Sequence, residues 1–589
     1  MLHAVPCLNA VMSDGRLPAR RRWLGWLIGL AVVVVVLAIA WVVVRGLGAI
    51  SELQSVRTSV AQLRTAIAER ELERAERIAP RISQHAAVAR NLTSDVVWRG
   101  FEFVPWLGAN FTAVREIAEI TDSAAASAVT RPILDIAHDL DPATLGFTGS
   151  RIDLAPLAAV RLSLEPATAT LEAADARAQR IDAGAALPPV ADAVRDARDL
   201  VREAATTIGA MHGASALLPS MLGGAEPRMH LVALQNNTEI RSHGGAIAAF
   251  ALVRAENGVI NMVRTVSAQE LPALEASVPL DDATAALFGD ALFGDAAANS
   301  VRDATSIPDF ASAAAVVAER WQQKYGDLID GVVAIDLVAA EHLIDVPGSV
   351  TFGSYTADAE SLLPTLTVDL PAAVADVAQR DAVFAQASAA LLSALLTAGE
   401  PGALLERVAE AAADDRIRVW SAHPREEQQL AASALGGALP VDDQRDVHVG
   451  VLFNDATGSP LGSRAHAAIS TATGVCHGQP TTQVRVTWTS EVSEEEAASS
   501  TATTDLGSGD IRTLIAIYGP AGATMSDDDA TAALGTRPVV QHDLTLSPGE
   551  STTVTATFTG SGAGERLTHL HHTPMVEAPG LVRADVDCG

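Results

Sequence analysis

The hydrophobic and polar positions divide the chain into stretches of different character, beginning with an unbroken apolar run. Residues 24–44 read LGWLIGLAVVVVVLAIAWVVV and carry no charge. At a rise of about 1.5 Å per residue, this run forms about 31 Å of helix, which is enough to cross the apolar core of a bilayer. The sequence therefore predicts a transmembrane helix over residues 24–44, preceded by a short tail, residues 1–23.

The charges around the apolar run predict its orientation. Four arginines lie before it, between Arg16 and Arg22, and only Arg45 follows it directly. The positive-inside rule then places the tail in the cytoplasm and the rest of the chain outside the cell membrane. A cleaved signal peptide is the alternative, since Ala38-Ile39-Ala40 offers a cleavage pattern. The apolar run, however, exceeds the roughly 7–15 residues of a signal-peptide core.

From residue 46 to about 222 the apolar spacing predicts an all-α region of packed helices. Between Leu157 and Ala178, for example, apolar residues recur every seven positions. The segment VWRGFEFVPWLGANF, residues 97–111, interrupts the pattern with a proline and glycines, so it is predicted to form the end of a helical hairpin. Its aromatic side chains either pack in the core or lie on the membrane surface.

Residues 226–445 mix strand and helix patterns. MHLVAL, AIAAFALV and GVINMVRTV predict three strands, and Asn257-Gly258 predicts a hairpin turn between the last two. Downstream, AAAVVAERWQQKYG and VAAEHLI predict helices on either side of the buried strand DGVVAIDL, and residues 377–417 predict long amphipathic helices. The expected fold is an α/β domain, a sheet covered by helices.

Residues 446–589 change character again. TQVRVTWTS and STTVTATFT alternate polar and apolar residues with period two, which predicts an antiparallel β-sandwich. Between them, residues 490–505 are acidic and polar, and we expect a mobile loop there. The chain as a whole is thus predicted to be multidomain, with a transmembrane helix, a helical stalk region, a central α/β domain and a β-sandwich.

The three cysteines fit the predicted topology. Cys7 falls on the reducing, cytoplasmic side, whereas Cys476 and Cys588 fall on the oxidising side. We therefore predict a disulfide between Cys476 and Cys588 that fixes the end of the chain. The alternative is a pair of free thiols.

Composition limits the class of partner. The chain has 41 basic and 71 acidic residues and a formal net charge of -30. Nucleic-acid binding is therefore not expected, because it needs a basic surface that displaces counterions from phosphates. Lys324 is the single lysine, a composition typical of a GC-rich, actinobacteria-like genome.

One polar stretch stands out inside the central domain. LQNNTEIRSHGG, residues 234–245, lies between two apolar strands, and residues 235–245 are expected to form the loop between them. Arg241 with Gly244 and Gly245 offers guanidinium and backbone N–H donors for a pyrophosphate. The candidate ligand-binding residues here are Gln235, Asn236, Asn237, Glu239, Arg241, Gly244 and Gly245. The alternative is structural, because Asn and Gly form turns, and Glu239 with Arg241 can form an ion pair.

The same stretch carries a family resemblance. LVALQNNTEIRSHGGAIAAFALVRAENGVI resembles the signature of the bacterial domain-of-unknown-function family 4012. IDGVVAIDLVAAEHLIDVPGSV, the PWLG and LLPSMLG elements and a late THLHHTPMV are similar to that family as well. Ser242-His243 stands before the glycine pair where members usually have Pro-Thr.

The central domain also resembles, more distantly, the LytR/CpsA/Psr proteins. These are membrane-anchored enzymes that move glycopolymers from polyprenyl-pyrophosphate carriers to the cell wall. The resemblance implies that Glu239 and Arg241 form an acid-arginine pair, that Arg264 is a further pyrophosphate ligand, and that acidic residues hold Mg²⁺. No R-S-D stretch follows the first loop, and TVSAQE replaces the expected arginine-acid pair.

Three further sets of residues are secondary candidates. Arg302 and Asp303 either reach the same site or form a capped turn before the next helix. Asp336 ends a strand, where ligand sites often lie, but a helix N-cap explains it equally well. The histidines of THLHHTP invite a zinc site, yet no carboxylate or cysteine stands at metal-ligand spacing, so no metal site is predicted. These histidines are His569, His571 and His572.

Three functions follow as hypotheses. The first is an extracytoplasmic envelope protein that binds a polyprenyl-linked or polymeric glycan in cell-wall or surface-polysaccharide assembly. The second is an active glycopolymer transferase with a polyprenyl-pyrophosphate donor and Mg²⁺, in which Arg241 and Arg264 hold the pyrophosphate. The third is a structural scaffold for protein partners. Motifs of ordinary hydrolases and nucleotide-driven enzymes do not occur in the sequence.

Overall fold

The structure is a computed structural model of the chain. It describes residues 19–68, 71–126, 150–182, 184, 186–271, 282–288, 301–374, 376–440, 442, 446–457, 460–499, 506–525, 532–560 and 567–588. The chain divides into two compact units. The helical unit comprises Met1–Asp139 and Ala159–His212, and the sheet unit comprises Leu140–Ala158 and Gly213–Gly589.

The first part of the chain is helical, as its apolar spacing predicts. Its helices are α1 (Ala19–Ala68), α2 (Leu72–Thr93), α3 (Val96–Phe101), α4 (Gly108–Ala124), α5 (Leu154–Gln179) and α6 (Pro188–Met221). In α5 the four heptad residues from Leu157 to Ala178 are all buried. The apolar residues of this heptad therefore form a buried stripe.

Helix α1 has two different halves. Its first half contains the apolar run, where Val33 and Val36 are 54% and 57% exposed. By length and composition α1 is able to cross a membrane. In its second half, Val56 and Leu63 pack against Ile78 and Ile82 of α2, so the two helices form a hairpin with its own apolar core.

The predicted interruption at residues 97–111 is present. After the short helix α3 the chain makes turns, and α4 begins at Gly108. A side chain on Gly108 would come within 2.0 Å of the Glu102 carbonyl oxygen, so the glycine is required by the close approach of the backbone. Trp98 is buried and meets the Phe111 ring edge-on at 5.2 Å, whereas Trp106 is 95% exposed. The aromatics thus divide between core and surface.

The central region is a mixed sheet with helices on both faces. Its strands are β1 (Arg228–Arg241), β2 (Gly244–Glu256), β3 (Val259–Ser267), β4 (Gly331–Asp336), β5 (Val350–Phe352), β6 (Tyr355–Ala357) and β7 (Ile417–Ser421). The sheet order is β3-β2-β1-β4-β7, in which only the β1/β4 pair is parallel. Strands β5 and β6 form a separate two-stranded ribbon.

Helices cover this sheet as predicted. They are α7 (Asp282–Phe288), α8 (Phe310–Tyr325), α9 (Leu337–Ile344), α10 (Leu362–Ala373), α11 (Val377–Thr397), α12 (Pro401–Ala413) and α13 (Pro424–Ala431). Phe310 and Trp321 of α8 share one core with Phe250 of the sheet. Leu234 and Phe384 belong to a second core that includes α9, α10 and α11.

Two predictions for this region are wrong in detail. QNNTEIR is not a loop, because β1 continues through it to Arg241 and leaves only Ser242-His243 as the turn. The predicted helix up to residue 417 ends earlier, since α12 stops at Ala413 and β7 begins at Ile417. Asp415 has a φ of 62°, so the backbone cannot continue as a right-handed helix there. The Asn257-Gly258 turn is confirmed, with φ values of 51° and 78°.

The C-terminal region consists of two five-stranded sheets. Its strands are β8 (Asp446–Asp455), β9 (Ala465–Cys476), β10 (Gln479–Ser490), β11 (Ile511–Tyr518), β12 (Thr524–Met525), β13 (Ala532–Leu534), β14 (Arg537–Leu546), β15 (Ser551–Thr559), β16 (Leu567–His572) and β17 (Gly580–Ala584). The sheet orders are β12-β15-β10-β9-β17 and β13-β14-β11-β8-β16. Both sheets contribute to one core around Phe453, Trp488 and Phe558.

This region differs from the prediction in two respects. The sheets are not wholly antiparallel, because β16 pairs with β8 and β17 with β9 in parallel. The predicted mobile loop contains a short helix, α14 (Glu494–Ser499), held at its start by Ser493 and Glu496. Residues 500–505 lie outside the described part of the chain.

The central and C-terminal regions, predicted as separate domains, fall in one compact unit. Leu514 and Tyr518 of β11 belong to the same core as Phe250 and Trp321. The predicted domain boundaries at residues 222 and 446 stay predictions. Residues on both sides of the boundary at 446 pack in one shared core.

Cys476 and Cys588 are joined in a disulfide, the pair that the sequence analysis predicts, across a separation of 112 residues. We expect Cys588→Ser to lower the free energy of unfolding of the C-terminal sheets by about 4–5 kcal/mol, because the closed loop is long. Thermal unfolding of the full chain with and without reductant measures this. Cys7→Ser is the control, and equal melting of both variants would contradict the expectation.

Candidate functional site

The candidate stretch is a β-hairpin with a wide irregularity in its first strand. Asn236 pairs with Ala246 and Ile240 pairs with Gly245, so residues 237–239 of β1 have no partner in β2. The Asn236 side chain accepts hydrogen bonds from the Thr238 backbone N–H and hydroxyl at 3.2 and 2.9 Å, which closes a local turn. The extra residues form a bulge that redirects their side chains.

The two glycines are needed by this geometry. Gly244 has a φ of 114°, a conformation that other residues rarely adopt. A Cβ on Gly245 would lie 2.1 Å from the Asn236 carbonyl oxygen. The glycines therefore serve the backbone of the hairpin, and the space beside them is filled by protein atoms.

Asn237 joins the bulge to the end of β4. Its Nδ2 donates to Asp336 Oδ2 at 2.9 Å, and its Oδ1 accepts from the Leu337 N–H at 2.9 Å. Asp336 is fully buried and is the N-cap of α9, where Oδ1 accepts from the Ala339 N–H at 2.7 Å. Arg416 completes the set with a 2.7 Å ion pair to Asp336 Oδ2. The N-cap alternative for Asp336 is thus present in the structure.

Arg241 is buried, and its donors are used within the protein. Its Nε and Nη2 donate to Asp303 Oδ1 at 3.0 and 2.6 Å, and its Nη1 donates to the Ile240 and Asp455 carbonyl oxygens. Burial lowers its pKa, but the attraction of Asp303, Asp455 and Glu239 outweighs that effect and leaves the pKa raised. Arg241 therefore stays charged and is already neutralised by acids.

Glu239 does not pair with Arg241, as the structural alternative supposed, but with Arg302. Arg302 also donates to Asp381 Oδ2 at 2.7 Å. Burial raises the pKa of the Asp381 carboxyl, with Arg302 opposing the rise. Burial likewise raises the pKa of the Asp455 carboxyl, with Arg241 opposing it. Arg302 and Asp303 thus reach the candidate stretch, while Asp309 caps the helix that follows, accepting from the Ser312 N–H at 2.9 Å.

The Ser242-His243 turn contacts three other parts of the sheet unit. The Ser242 N–H donates to Asn454 Oδ1 at 2.9 Å, and its carbonyl accepts from the Thr573 hydroxyl at 3.2 Å. The His243 N–H donates to the Thr305 carbonyl at 3.2 Å. The turn of the central hairpin is therefore fixed by β8, by the segment after β16 and by residues 301–306.

The other predicted residues lie apart. Arg264 is exposed on β3, with its guanidinium 4.5 Å from the Tyr325 ring centroid, outside the polar cluster. Gln235 is buried, and its Nε2 has no hydrogen-bond partner within the described residues. His569 Nε2 lies 3.0 Å from Asp446, and His571 Nε2 lies 3.0 Å from His448 Nδ1. His572 Nδ1 faces the Thr573 carbonyl oxygen at 2.9 Å.

Sequence reasoning did not find several partners of the hairpin. Asp381 lies on α11, Asn454 and Asp455 end β8, and Arg416 precedes β7. The Asn-Asp pair after the apolar VGVLF was the one local signal, since polar residues that end a strand often face a site. The remaining partners are brought in by tertiary contacts that no local pattern encodes.

The carboxylates here do not fit a Mg²⁺ site of the kind the LytR/CpsA/Psr resemblance implies. Glu239 and Asp381 are each held by Arg302, and Asp303 is held by Arg241. Within the described ranges there is no group of three or more His, Cys, Asp or Glu side chains arranged to hold a metal ion. An incoming cation would have to displace an arginine from its acid.

The comparisons with known proteins agree with the family resemblance of this region. Residues 225–370, which contain β1 to β6, match the family described as "Protein of unknown function (DUF4012)". The match supports the DUF4012 resemblance for the part of the chain that builds the hairpin. No curated protein and no solved structure matches the chain. The LytR/CpsA/Psr resemblance stays a prediction.

His243 supplies a pH-dependent prediction. Its Nε2 is buried without a hydrogen-bond partner among the described residues, and burial together with Arg418 lowers its pKa to about 3. The unfolded chain takes up this proton near pH 6.5, whereas the folded chain does not until about pH 3. Stability is therefore complete above pH 6.5 and falls on acidification, by about 2 kcal/mol between pH 6.5 and pH 5.

The measurement is the pH dependence of unfolding for the wild type and His243→Asn. The variant should show a shallower loss of stability on acidification, because it has lost the titrating group. His477→Asn is the matched control, since His477 is exposed in a turn with a φ of 53°, which asparagine tolerates. Identical slopes for all three proteins would contradict the prediction.

Proposed function

We propose that this protein is a single-pass membrane protein whose folded units lie outside the cytoplasm and act as a non-catalytic scaffold of the cell envelope. In this proposal α1 is the anchor and the tail is cytoplasmic. The Cys476–Cys588 disulfide supports an oxidising compartment for the sheet unit. We also take the two C-terminal sheets, which share one core, as a β-sandwich.

One observation carries the scaffold proposal. The arginine most suited to grip a pyrophosphate, Arg241, is 6% exposed and already donates to a carboxylate and two carbonyl oxygens. Four acids surround two arginines in this cluster, so an added anion would meet net negative charge. The acids are Glu239, Asp303, Asp381 and Asp455, and the arginines are Arg241 and Arg302. Residues 234–245 are therefore better suited to stabilising the fold than to binding a phosphorylated donor.

The transferase hypothesis receives less support from the same geometry. A polyprenyl-pyrophosphate donor would have to remove Arg241 from Asp303, and Arg264 lies outside the cluster. Transfer chemistry of the kind implied by the LytR/CpsA/Psr resemblance requires arginines that are free to move to the substrate.

Glycan binding is a second candidate, and a different surface favours it. The solvent face of sheet β12-β15-β10-β9-β17 carries paired hydroxyls, with Thr487 to Thr553 at 2.9 Å and Thr489 to Ser551 at 2.8 Å. Thr555 and Thr557 extend the row along β15. The exposed Arg485 stands opposite Thr555 in the same row. Hydroxyls that both donate and accept, with one guanidinium among them, suit the hydroxyls of a polymeric glycan.

The test of the scaffold proposal is Arg241→Ala in the full chain. If the residue stabilises the fold, its removal leaves the buried Asp455 carboxyl and the partly exposed Asp303 carboxyl without the positive charge that faces them, and should cost about 3–5 kcal/mol of stability. Arg264→Ala is the control and should cost no more than about 1 kcal/mol, since only an exposed contact with Tyr325 is lost. Thermal unfolding in detergent measures both. A fully stable Arg241→Ala protein that has lost binding to a polyprenyl pyrophosphate would overturn the proposal.

The test of glycan binding uses the isosteric change Thr487→Val with Thr553→Val. The two substitutions should weaken binding of the full chain to an array of bacterial surface polysaccharides about tenfold, because each removes a hydroxyl and leaves the shape. Thr545→Val, exposed on the other sheet, is the matched control. Equal binding by all three proteins would remove this face from consideration.

A further inference from the structure

The segment from α3 to the start of α4 turns the chain around beside the end of the apolar run. Asp95 Oδ2 lies 2.9 Å from Arg45 Nε, and it accepts a 3.4 Å hydrogen bond from Trp41 Nε1. Trp98 packs with Val42 in one apolar cluster. The segment is therefore fastened to α1 at the residues where the predicted membrane crossing ends.

The position of this turn relative to a bilayer follows from the α1/α2 hairpin. After Arg45, α1 continues to Ala68, which carries the far end of the hairpin about 35 Å from the end of the apolar run. α2 then returns, and the Leu92 carbonyl accepts from Arg45 Nε at 2.8 Å. The next turn, which contains α3, thus lies at the level of Trp41 and Arg45, the residue types that mark a membrane-water interface.

The turn exposes large apolar side chains at this level. Val96 and Phe103 are each 87% exposed, Trp106 is 95% exposed and Leu107 is 46% exposed. These side chains gain nothing from facing water, and their neighbours Trp98 and Phe111 show that aromatic residues of the same segment bury themselves where a core is available.

The charges of the turn suit a lipid surface. Its acids are compensated, since Asp95 pairs with Arg45 and Glu102 pairs with Arg115 at 2.6 Å. Arg99 of the short helix α3 is exposed. The exposed surface of the turn therefore offers apolar side chains and one cation, a combination that inserts into the headgroup region and pairs with lipid phosphate.

We propose that residues 96–107 form a second membrane contact, in which Val96, Phe103 and Trp106 insert into the outer-leaflet interface of the bilayer that α1 crosses. The occupant of this surface is lipid, because the surface is continuous with the end of the anchor. The contact would hold the α1/α2 hairpin at a fixed height above the membrane. This inference rests on the proposed crossing by α1.

The experiment places a nitroxide label on the full chain in vesicles of phosphatidylethanolamine and phosphatidylglycerol. Cys7→Ser provides the background, and Phe103→Cys or Val96→Cys provides the labelled thiol. Leu162→Cys, on α5 and 64% exposed, is the matched control, and Val33→Cys in α1 is the membrane reference. Accessibility of each label to oxygen and to a water-soluble nickel chelate is measured by power saturation.

The labels at 103 and 96 should be several-fold less accessible to the nickel chelate than the label at 162. They should also be more accessible to oxygen than that label. Nickel accessibility equal to that of the 162 label, with the 33 label protected, would overturn the second contact and leave the anchor intact. A 33 label open to the nickel chelate would overturn the anchor and the second contact together. The two failures are therefore distinguishable.

Discussion

Burial of the Asp336 carboxylate is the constraint on which the sheet unit depends. A charge with no exposed surface is costly unless donors surround it. Here the Ala339 N–H, the Asn237 amide and the Arg416 guanidinium all donate to it. These donors come from α9, from the bulge in β1 and from Arg416, the residue directly before β7. Hydrogen bonding of this one carboxylate therefore fixes the relative positions of α9, β1 and β7.

The C-terminal sheets are tied into the same network. Asn237 Nδ2 also lies 3.3 Å from the Pro574 carbonyl oxygen, and Arg416 Nη2 donates to the Met575 carbonyl at 2.8 Å. Asn454 and Thr573 hold the hairpin turn. Buried polar groups of this kind add little net stability compared with apolar packing. They discriminate against other arrangements instead, since any shift leaves a buried donor or acceptor without its partner.

Local patterns predicted the elements better than they predicted the site. The apolar run, the heptad of α5, the Asn257-Gly258 turn and the N-cap at Asp336 all depend on neighbours in sequence, and the structure contains them. The strand through QNNTEIR was missed because polar residues in a row resemble a loop. Their burial depends on partners such as the Asp455 and Pro574 carbonyl oxygens, which lie 214 residues from Arg241 and 337 residues from Asn237 and which periodicity cannot place.

The polar stretch of residues 234–245 shows why residue types alone do not distinguish a ligand-binding site from a set of residues that stabilises the fold. Arginine, asparagine and paired glycines suit a phosphate because they are donors on a tight turn, and the same properties suit buried carboxylates and carbonyl oxygens. What decides between them is how many donors the fold has left unused. Arg241 uses its Nε and both terminal nitrogens within the protein, and Asn237 uses both ends of its amide. In a chain with an excess of acidic residues, a buried arginine is more often paired with a carboxylate of the same protein than left available for an anionic ligand. The surfaces that remain for recognition are then the exposed ones, where hydroxyl or apolar groups face outward.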